Sequence, residues 1–325
     1  MKKTTASISR QSTRPSGPKG IPKKSYAKDK RGQKVQSYLD AALSDNTLRA
    51  YRADIKHFIK WGGAIPASGD TIAQYIADNA TSLSCSTLSR RVVAINRAHA
   101  VKGFPSPTST DMVRATLQGI RRKHGKAPHQ VTALQKHDLL KVVKHLKGLR
   151  GMRDYALLMI GFAAALRRSE LVSLDVEDIK FVKEGAVLHL RRSKTDQEGR
   201  GREIAIPFVH GPYCPCRTLQ AWLKLSKITS GPIFRRIDKY GNILANRLTA
   251  QSVALIIKKR AASAGLDPIL YSGHSLRAGF ATNAARAGAS NSSIRSQTGH
   301  KSDSMLQRYI RPSRAFSDNP NRKVW

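Results

Sequence analysis

A short basic segment containing glycine and proline divides this chain into two stretches with regular apolar spacing. Residues 121–128 read Arg-Arg-Lys-His-Gly-Lys-Ala-Pro and follow a stretch of helical pattern. Glycine and proline at such a place favour an end to regular structure, so we interpret residues 121–131 as a basic interdomain linker. A length of 325 residues is compatible with two domains. The sequence therefore predicts a folded domain on each side of this linker.

The stretch before the linker has the spacing of amphipathic helices. Leu48, Tyr51, Ile55 and Phe58 follow one another at intervals of three and four, after N-cap residues and before two glycines. Three further helices are predicted at about residues 70–79, 86–100 and 111–120. Residues 35–120 are therefore expected to form a small all-helical domain.

The stretch after the linker, residues 132–310, is predicted to be mostly α with a small antiparallel sheet. Two short strands, at 186–190 and 203–206, flank a loop at 193–202. Helices are predicted at about residues 135–146, 153–165, 216–225, 249–264, 275–287, 292–297 and 304–309. The remaining residues, 311–325, are expected to form a C-terminal tail.

The charge of the chain indicates a polyanionic partner. Lys and Arg number 58 against 21 Asp and Glu, a formal net charge of +37. Apolar residues make up 40% of the chain, enough for a sizeable core, so the charge does not mark the whole chain as disordered. Nucleic acid is the first candidate partner, and a ribosomal, chromatin or membrane-surface protein is the alternative.

The N-terminal residues 1–34 carry eleven Lys and Arg and one acidic residue, Asp29. They have no periodic apolar pattern, so we expect a disordered basic arm. Such an arm either contacts DNA phosphates or acts as a solubilising tail. No apolar stretch is long enough to span a bilayer, and no apolar region follows the basic N-terminus, so neither a membrane span nor a secretory signal is expected.

The three cysteines, Cys85, Cys214 and Cys216, favour a reducing compartment because their number is odd and the chain is long. The pair around Pro215 has no second ligand pair at zinc spacing, so buried or free thiols are expected rather than a metal site. These features predict a cytoplasmic protein without a structural metal.

The residues best suited to chemistry occur in a fixed order along the second domain. His274 and Arg277 are three residues apart, His300 lies 23 residues beyond Arg277, and Tyr309 nine residues beyond His300. Much earlier stands the segment Leu-Arg-Arg-Ser-Glu-Leu at residues 166–171. Arginine binds phosphate oxygens bidentately, histidine moves protons near neutral pH, and a tyrosine oxygen is a nucleophile. These are the parts needed to attack a DNA phosphate covalently.

The order and spacing of these residues resemble the tyrosine recombinase (phage integrase-type) family, over residues 35–315. The resemblance implies a helical core-binding domain that contacts DNA, followed by a mixed α+β catalytic domain with a small antiparallel sheet. It also implies a catalytic set, namely Arg167, Lys194, His274, Arg277, His300 and Tyr309, with Glu170 as a supporting carboxylate.

The chemistry of these residue types agrees with the implied roles. Arg167 and Arg277 would hold the non-bridging oxygens of a DNA phosphate, and His300 would add a hydrogen bond. His274 would assist removal of the nucleophile's proton, and Lys194 would protonate the leaving 5′ oxygen. The product is a 3′-phosphotyrosyl link that retains the bond energy, so rejoining needs no ATP. Because the arginines supply positive charge, no metal or cofactor is expected.

Basic residues outside this set are candidate contacts to the DNA backbone. Arg90 and Arg91 are predicted on the outer face of the third helix, and Arg121, Arg122 and Lys123 in the linker. A solvated helix face is the alternative for the first two.

The resemblance also implies how the protein works on DNA. Two domains would form a C-shaped clamp around the duplex, and four protomers would join two sites with inverted repeats and exchange strands through a Holliday junction. Phe316 and Trp325 in the tail either dock on a neighbouring protomer or belong to a frayed end. Type IB topoisomerase activity and non-catalytic DNA binding are the alternative functions. The sequence does not identify the host element, whether phage, transposon, plasmid or chromosome.

Overall fold

The computed structural model describes residues 43–126, 131–191, 201–300, 302–314, 319 and 321–324. The chain divides into two compact units, residues 1–128 and residues 129–325. The predicted arm, the predicted loop lysine Lys194 and both aromatic residues of the tail lie outside the described residues.

Serine and threonine N-caps fix where the helices of the first unit begin. These helices are α1 (Asp45–Trp61), α2 (Gly69–Asp78), α3 (Cys85–Val101) and α4 (Asp111–His124). Each begins after a hydroxyl residue that accepts a backbone N–H three positions later, and these caps are Ser44, Ser68, Ser84 and Thr110. Helix α1 ends at Gly62, whose φ of 112° suits a residue without a Cβ. The four predicted helices are confirmed to within a few residues at their ends.

The apolar faces of these helices meet in one core. Phe58, Ile72, Tyr75, Leu88 and Ile95 are fully buried in it. The rings of Phe58 and Tyr75 lie edge to face, with centroids 5.0 Å apart. Of the apolar positions predicted for α1, Ile55 and Phe58 pack in this core, whereas Leu48 and Tyr51 are not among its residues.

The prediction that residues 121–131 form a linker is wrong for residues 121–124. Helix α4 continues to His124, so Arg121, Arg122 and Lys123 lie on its last turn. Basic side chains are favourable there because the helix dipole places partial negative charge at the C-terminus. The helix ends at Gly125, whose backbone N–H donates to the carbonyl oxygen of Arg121.

The second unit is mostly helical, as predicted. Its helices are α5 (Lys136–Lys144), α6 (Gly148–Ala163), α7 (Arg168–Ser173), α8 (Pro215–Ser226), α9 (Ala250–Ser263), α10 (Ser275–Arg286), α11 (Asn291–Thr298), α12 (Asp303–Arg314) and α13 (Asn321–Val324). Its strands are β1 (Ile179–Val182), β2 (Gly185–Leu190), β3 (Arg202–Pro207), β4 (Arg235–Ile237) and β5 (Ile243–Arg247). Sequence spacing missed α7, β1 and the β4–β5 pair, which are all six residues or shorter.

The predicted antiparallel sheet is confirmed and has a third strand. Strand β2 lies between β1 and β3, and Leu188 pairs with Ile179 on one side and Ile204 on the other. The prediction placed Arg202 in the loop between β2 and β3, but it is the first residue of β3 and pairs with Leu190. Strand β3 therefore begins where the loop was expected to end.

Close packing at Gly161 of α6 fixes how three helices meet. A Cβ at this position would lie 2.8 Å from Cδ1 of Leu276 on α10 and 2.9 Å from Cδ2 of Leu171 on α7. Both leucines are buried in the core of this unit. The glycine thus lets α7 and α10 approach α6 closely. Arg167 directly precedes α7, and Arg277 lies on α10.

The last long helix runs past the predicted domain end. The prediction ended the domain at residue 310, but α12 reaches Arg314. Leu306 and Ile310 of α12 are buried against Ala281, Ala285 and Ile294.

Candidate active site

The turn that begins α7 positions Arg167 and Glu170. The backbone N–H of Arg167 donates to Oε2 of Glu170 at 2.9 Å, and Nη1 of Arg167 donates to Oε1 at 2.5 Å. Glu170 is buried, and the Arg167 side chain is 14% exposed. A buried carboxylate that holds both the backbone and the guanidinium of one residue leaves little freedom to that arginine.

Arg277, on the first turn of α10, lies beside this turn and is buried. Its Nη1 donates to the carbonyl oxygen of Ala165 at 2.9 Å, whereas its Nη2 is buried with no hydrogen-bond partner among the described residues. Ala165 has a left-handed φ of 51°, which turns the chain sharply after α6. Burial first, and then the charge of Arg167, lower the pKa of Arg277 to about 10.

His300 is held by the turn at the end of α11. Gly299 ends that helix with a φ of 65°, and Nδ1 of His300 lies 2.7 Å from Oγ1 of Thr298. His300 is 8% exposed. Burial first, and then the charges of Arg277, Arg167 and Arg202, lower the pKa of His300 to about 4. The imidazole is therefore neutral at neutral pH.

Tyr309 lies on α12 next to His300. The two ring centroids are 5.8 Å apart and the ring planes meet at 34°. Tyr309 is partly buried and packs against the small cluster that joins α10, α11 and α12. It also influences the pKa of Arg277, so the tyrosine and that arginine are within electrostatic reach of each other.

Arg202 is a further residue of the site, and no sequence pattern indicated it. Its Nη1 donates to the carbonyl oxygens of Ser296 at 3.2 Å and Gln297 at 2.9 Å, at the C-terminal end of α11. A Cβ on Gly299 would lie 2.6 Å from this Nη1, so the guanidinium packs directly on the turn. Nη2 of Arg202 is buried without a partner among the described residues.

The site gathers more positive than negative charge in a buried position. Arg167 is paired with the buried carboxylate of Glu170, and Arg202 and Arg277 lie within electrostatic reach of both residues. Burial, followed by the charge of Arg167, lowers the pKa of Arg202, as it does that of Arg277. Two guanidinium nitrogens without partners beside uncompensated charge are suited to the oxygens of an anion such as a phosphate.

Two other predicted site residues, His274 and Lys194, are not among the buried residues described above. His274 lies directly before α10 and is exposed, and its backbone N–H donates to Oγ of Ser272. It precedes Arg277 by three residues, which places both at the start of this helix. Lys194 lies outside the described residues, so its role stays a prediction.

In the first unit, the prediction that Arg91 lies on an outer face is wrong. Arg91 is 8% exposed, and its Nη1 donates to Oη of Tyr75 at 2.8 Å. Its Nε lies 3.5 Å from Oδ1 of Asp54, and Arg90 binds the same carboxylate through Nε and Nη2 at 2.8 and 2.9 Å. Asp54 is only 2% exposed, so its charge needs buried partners. Arg90 itself is half exposed.

The basic residues at the end of α4 are exposed. Arg121 donates to Oγ of Ser89 at 3.0 Å, and Arg122 and Lys123 are exposed on the same terminal turn. They remain candidate contacts to a DNA backbone.

Neither a candidate metal site nor a candidate membrane span is found in the part of the chain that the structure describes. No group of three or more His, Cys, Asp or Glu side chains there could hold a metal ion, and no helix there is long and apolar enough to cross a membrane. Cys214 and Cys216 are buried free thiols, and burial raises the pKa of Cys216 to about 11.

Comparisons with known proteins find relatives of this chain. The family model described as the phage integrase family matches residues 129–315. An integrase/recombinase xerD homolog of Selenomonas ruminantium is 40% identical over 306 residues, which cover 90% of this chain and 89% of that protein. Recombinase cre of Escherichia phage P1 is 25% identical over 274 residues, 78% of this chain and 77% of the relative.

Solved structures give the same fold. The crystal structure of lambda integrase bound to DNA aligns with a TM-score of 0.59 at 19% identity, over 88% of this chain and 96% of that one. The Tn1549 transposon integrase in complex with transposon right-end DNA also has a TM-score of 0.59, at 16% identity, over 85% of this chain and 92% of that one.

Proposed function

This chain belongs to the phage integrase family, and on that premise we propose that it is a site-specific DNA recombinase that cuts and rejoins strands through a 3′-phosphotyrosyl intermediate. One observation carries the proposal. Arg167 and Arg202, from earlier parts of the chain, lie within electrostatic reach of Arg277 and His300, and Tyr309 neighbours His300. Nη2 of Arg202 and Nη2 of Arg277 are buried without a partner among the described residues. That arrangement suits a DNA phosphate beside a tyrosine nucleophile.

The proposed reaction divides phosphate binding, nucleophilic attack and protonation among these residues. Arg167 and Arg277 bind the non-bridging oxygens of the scissile phosphate, where charge increases during attack. Glu170 keeps Arg167 in place through its two hydrogen bonds. Tyr309 attacks phosphorus, and Lys194 gives a proton to the departing 5′ oxygen. Rejoining reverses these steps and needs no cofactor, because the phosphotyrosyl bond retains the energy of the phosphodiester.

The proposed partners are double-stranded DNA and further copies of the chain. A protein with a net charge of +37 is suited to a polyanion, and Arg122 and Lys123 are exposed at the end of α4 for phosphate contacts. Arg91 is not part of this surface, because it is buried against Asp54. Four protomers on two sites with inverted repeats, exchanging strands through a Holliday junction, would complete the reaction on DNA in the cytoplasm.

A recombination assay tests the proposal against its alternatives. The chain is incubated in EDTA with two copies of a site first selected by binding from a pool of native DNA fragments. Exchange between sites in EDTA supports the proposal. Relaxation of plasmids that lack the site would instead favour a type IB topoisomerase, and binding without any strand cleavage would favour a non-catalytic DNA-binding protein.

A further inference from the structure

Two arginines of α3 share one buried carboxylate in the first unit. Asp54 of α1 is 2% exposed, and Arg90 binds it through Nε at 2.8 Å and Nη2 at 2.9 Å. Nε of Arg91 lies 3.5 Å from the same carboxylate, and Nη1 of Arg91 donates to Oη of Tyr75 at 2.8 Å. The buried charge of Arg91 alone balances that of Asp54. Arg90 therefore adds an excess positive charge at this point of the surface.

The guanidinium of Arg90 is held along one edge and open along another. A guanidinium has five N–H donors in one plane, and the edge formed by Nε and Nη2 faces Asp54. The outer edge, formed by Nη1 and the second N–H of Nη2, has no hydrogen-bond partner among the described residues. The Arg90 side chain is 49% exposed, so a ligand can reach this outer edge. Two parallel N–H groups suit a pair of acceptors that lie in one plane.

The exposed face of α3 around Arg90 carries no acidic side chain. The 17 residues of this helix include no Asp or Glu. Its exposed residues follow one another at intervals of four and three, and they are Ser86, Arg90, Val93, Arg97 and Ala100. This face combines two cations with small uncharged side chains, so it can approach a polyanion closely. The major groove of DNA, which is about 12 Å wide, admits one α-helix.

We propose that Arg90 recognises a guanine of the recombination site in the major groove, and that Asp54 is the positioning residue that orients its guanidinium. The inference rests on the proposed function and assigns part of its sequence specificity. Guanine presents two acceptors, O6 and N7, on its major-groove edge, and they match the outer edge of an arginine. Each of the other three bases offers one acceptor there or none.

The bond to Asp54 favours base recognition over a contact to the DNA backbone. A surface arginine has many conformations, and a phosphate can be bound from several of them. Two hydrogen bonds to a buried carboxylate hold Arg90 in one orientation before DNA binds, so less side-chain freedom is lost on binding. Arg114 of α4 provides the contrast, because its side chain is 67% exposed and that of its partner Asp111 is 96% exposed. Such an exposed pair restrains an arginine much less.

The test removes one acceptor of guanine at a time. Binding of full-length protein to the selected site is measured while each guanine in turn is replaced by 7-deaza-2′-deoxyguanosine, which keeps base pairing but lacks N7. We expect a guanine at which this change lowers the affinity of the wild type about tenfold. Arg90→Ala should bind the site less tightly and be indifferent to the change at that guanine. Its thermal unfolding should change little, because Arg91 still balances Asp54.

Two further substitutions separate base recognition from charge. Arg90→Lys keeps the charge but cannot bind Asp54 and two acceptors at once, so it should lose the response at that guanine while its salt dependence stays that of the wild type. Arg114→Ala, the matched control, should keep the response.

Three results would overturn the proposal. Arg90→Ala could weaken binding to all sequences alike and reduce the log–log salt slope by about 0.9, which is the signature of a phosphate contact. Arg90→Ala could bind with unchanged affinity, which would make its pair with Asp54 purely structural. Wild-type protein could also be indifferent to every replacement of guanine.

Asp54→Asn tests the positioning role. The amide keeps the size of the side chain but binds a guanidinium less strongly than a carboxylate does, so the preference for guanine over 7-deazaguanine should fall. A smaller folded fraction lowers the apparent affinity for both DNAs equally, so the ratio of the two affinities does not change when stability alone is lost. A ratio equal to that of the wild type would contradict the role of Asp54.

Failure of this inference differs from failure of the proposed function. If no site is enriched from native DNA fragments, or if the enriched site is never cleaved, the function as proposed is wrong. If wild-type protein cleaves that site and Arg90→Ala keeps the response at every guanine, only the assignment of Arg90 is wrong.

Discussion

Arg277 donates a 2.9 Å hydrogen bond to the carbonyl oxygen of Ala165, which precedes it by 112 residues. This bond uses one terminal nitrogen of the guanidinium and leaves Nη2 buried without a partner among the described residues. The left-handed backbone of Ala165 directs the chain into Leu166 and Arg167 immediately afterwards. One turn therefore supports one arginine of the site and leads into the other.

The first prediction concerns the two terminal nitrogens of the Arg277 guanidinium. Lysine keeps the positive charge but cannot bond Ala165 and an anion with two fixed nitrogens. We expect Arg277→Lys to cleave a suicide substrate about 10²- to 10³-fold more slowly, as for loss of one donor to a developing oxyanion. Arg286→Lys, an exposed arginine on the same helix, is the control and should cleave normally. Equal rates for the two variants would show that charge alone is sufficient at position 277.

The second prediction concerns Arg202 and the titration of His300. Arg202→Gln removes a positive charge that lowers the pKa of His300. The pKa of His300, followed by NMR in the DNA-free protein, should therefore rise from about 4 towards its ordinary value of 6.5. The control is Arg235→Gln, because Arg235 also donates to backbone carbonyls but at Ser230 and Pro232. A similar rise in both variants, or none in Arg202→Gln, would contradict this account.

The same shift has a consequence for stability. The pKa of His300 is lower in the folded than in the unfolded protein, so the unfolded state takes up more protons below about pH 6.5. The stability that neutral His300 contributes is present above pH 6.5 and is lost as the pH falls towards 4. Because Arg202→Gln raises the folded pKa, its free energy of unfolding should fall less over this window than that of the wild type.

The third prediction concerns the buried ion pair of the first unit. Asp54→Asn keeps the size of the side chain but leaves Arg91 buried without a counter-charge. Breaking such a pair costs about 3–5 kcal/mol, which urea unfolding would measure. Asp111→Asn removes the exposed pair with Arg114 and should cost at most about 1 kcal/mol. A loss at position 54 no larger than that at position 111 would mean that Arg91 tolerates the change.

The fourth prediction concerns Lys194, which lies outside the described residues. If Lys194 is the general acid, Lys194→Ala should bind DNA but cleave about 10²- to 10⁴-fold more slowly. Sulfur in place of the bridging 5′ oxygen leaves almost without a proton, so this substrate should restore cleavage. Arg277→Ala should not recover, because its defect is in stabilising phosphate charge. If sulfur rescues neither variant, Lys194 has another role and Arg192 becomes the better candidate.

The sequence indicated Arg277, His300 and Tyr309, which the structure brings close together, because their spacing along the chain is short. His274 and Arg277 share the start of one helix, and the spacing from His300 to Tyr309 spans one turn and part of the next helix. Short patterns in the sequence were therefore enough to indicate these four residues. The sequence did not indicate Arg202, because a basic residue beside a loop cannot be told from an ordinary surface charge by its position in the sequence. Only the fold brings it against the end of α11, 94 and 95 residues later.

The buried ion pair of the first unit could not be predicted from the sequence for a related reason. Arg91 lies between Leu88 and Val92 in the sequence, and helical spacing alone does not tell whether it faces solvent or the edge of the core. Its partner Asp54 stands on another helix, next to the apolar residue Ile55. Pairing across helices is a tertiary property, so periodicity identified the helices but not the ion pair between them.

The central claim is that Tyr309 attacks DNA, and covalent trapping tests it most directly. Wild-type protein is incubated with a nicked suicide substrate carrying the selected site, and adducts are separated on a denaturing gel and mapped by mass spectrometry. The account predicts that wild-type protein forms an adduct through Tyr309. The Tyr309→Phe variant should bind DNA nearly as well as the wild type but form no adduct. An adduct that persists in Tyr309→Phe, or one mapped to another residue, would contradict it.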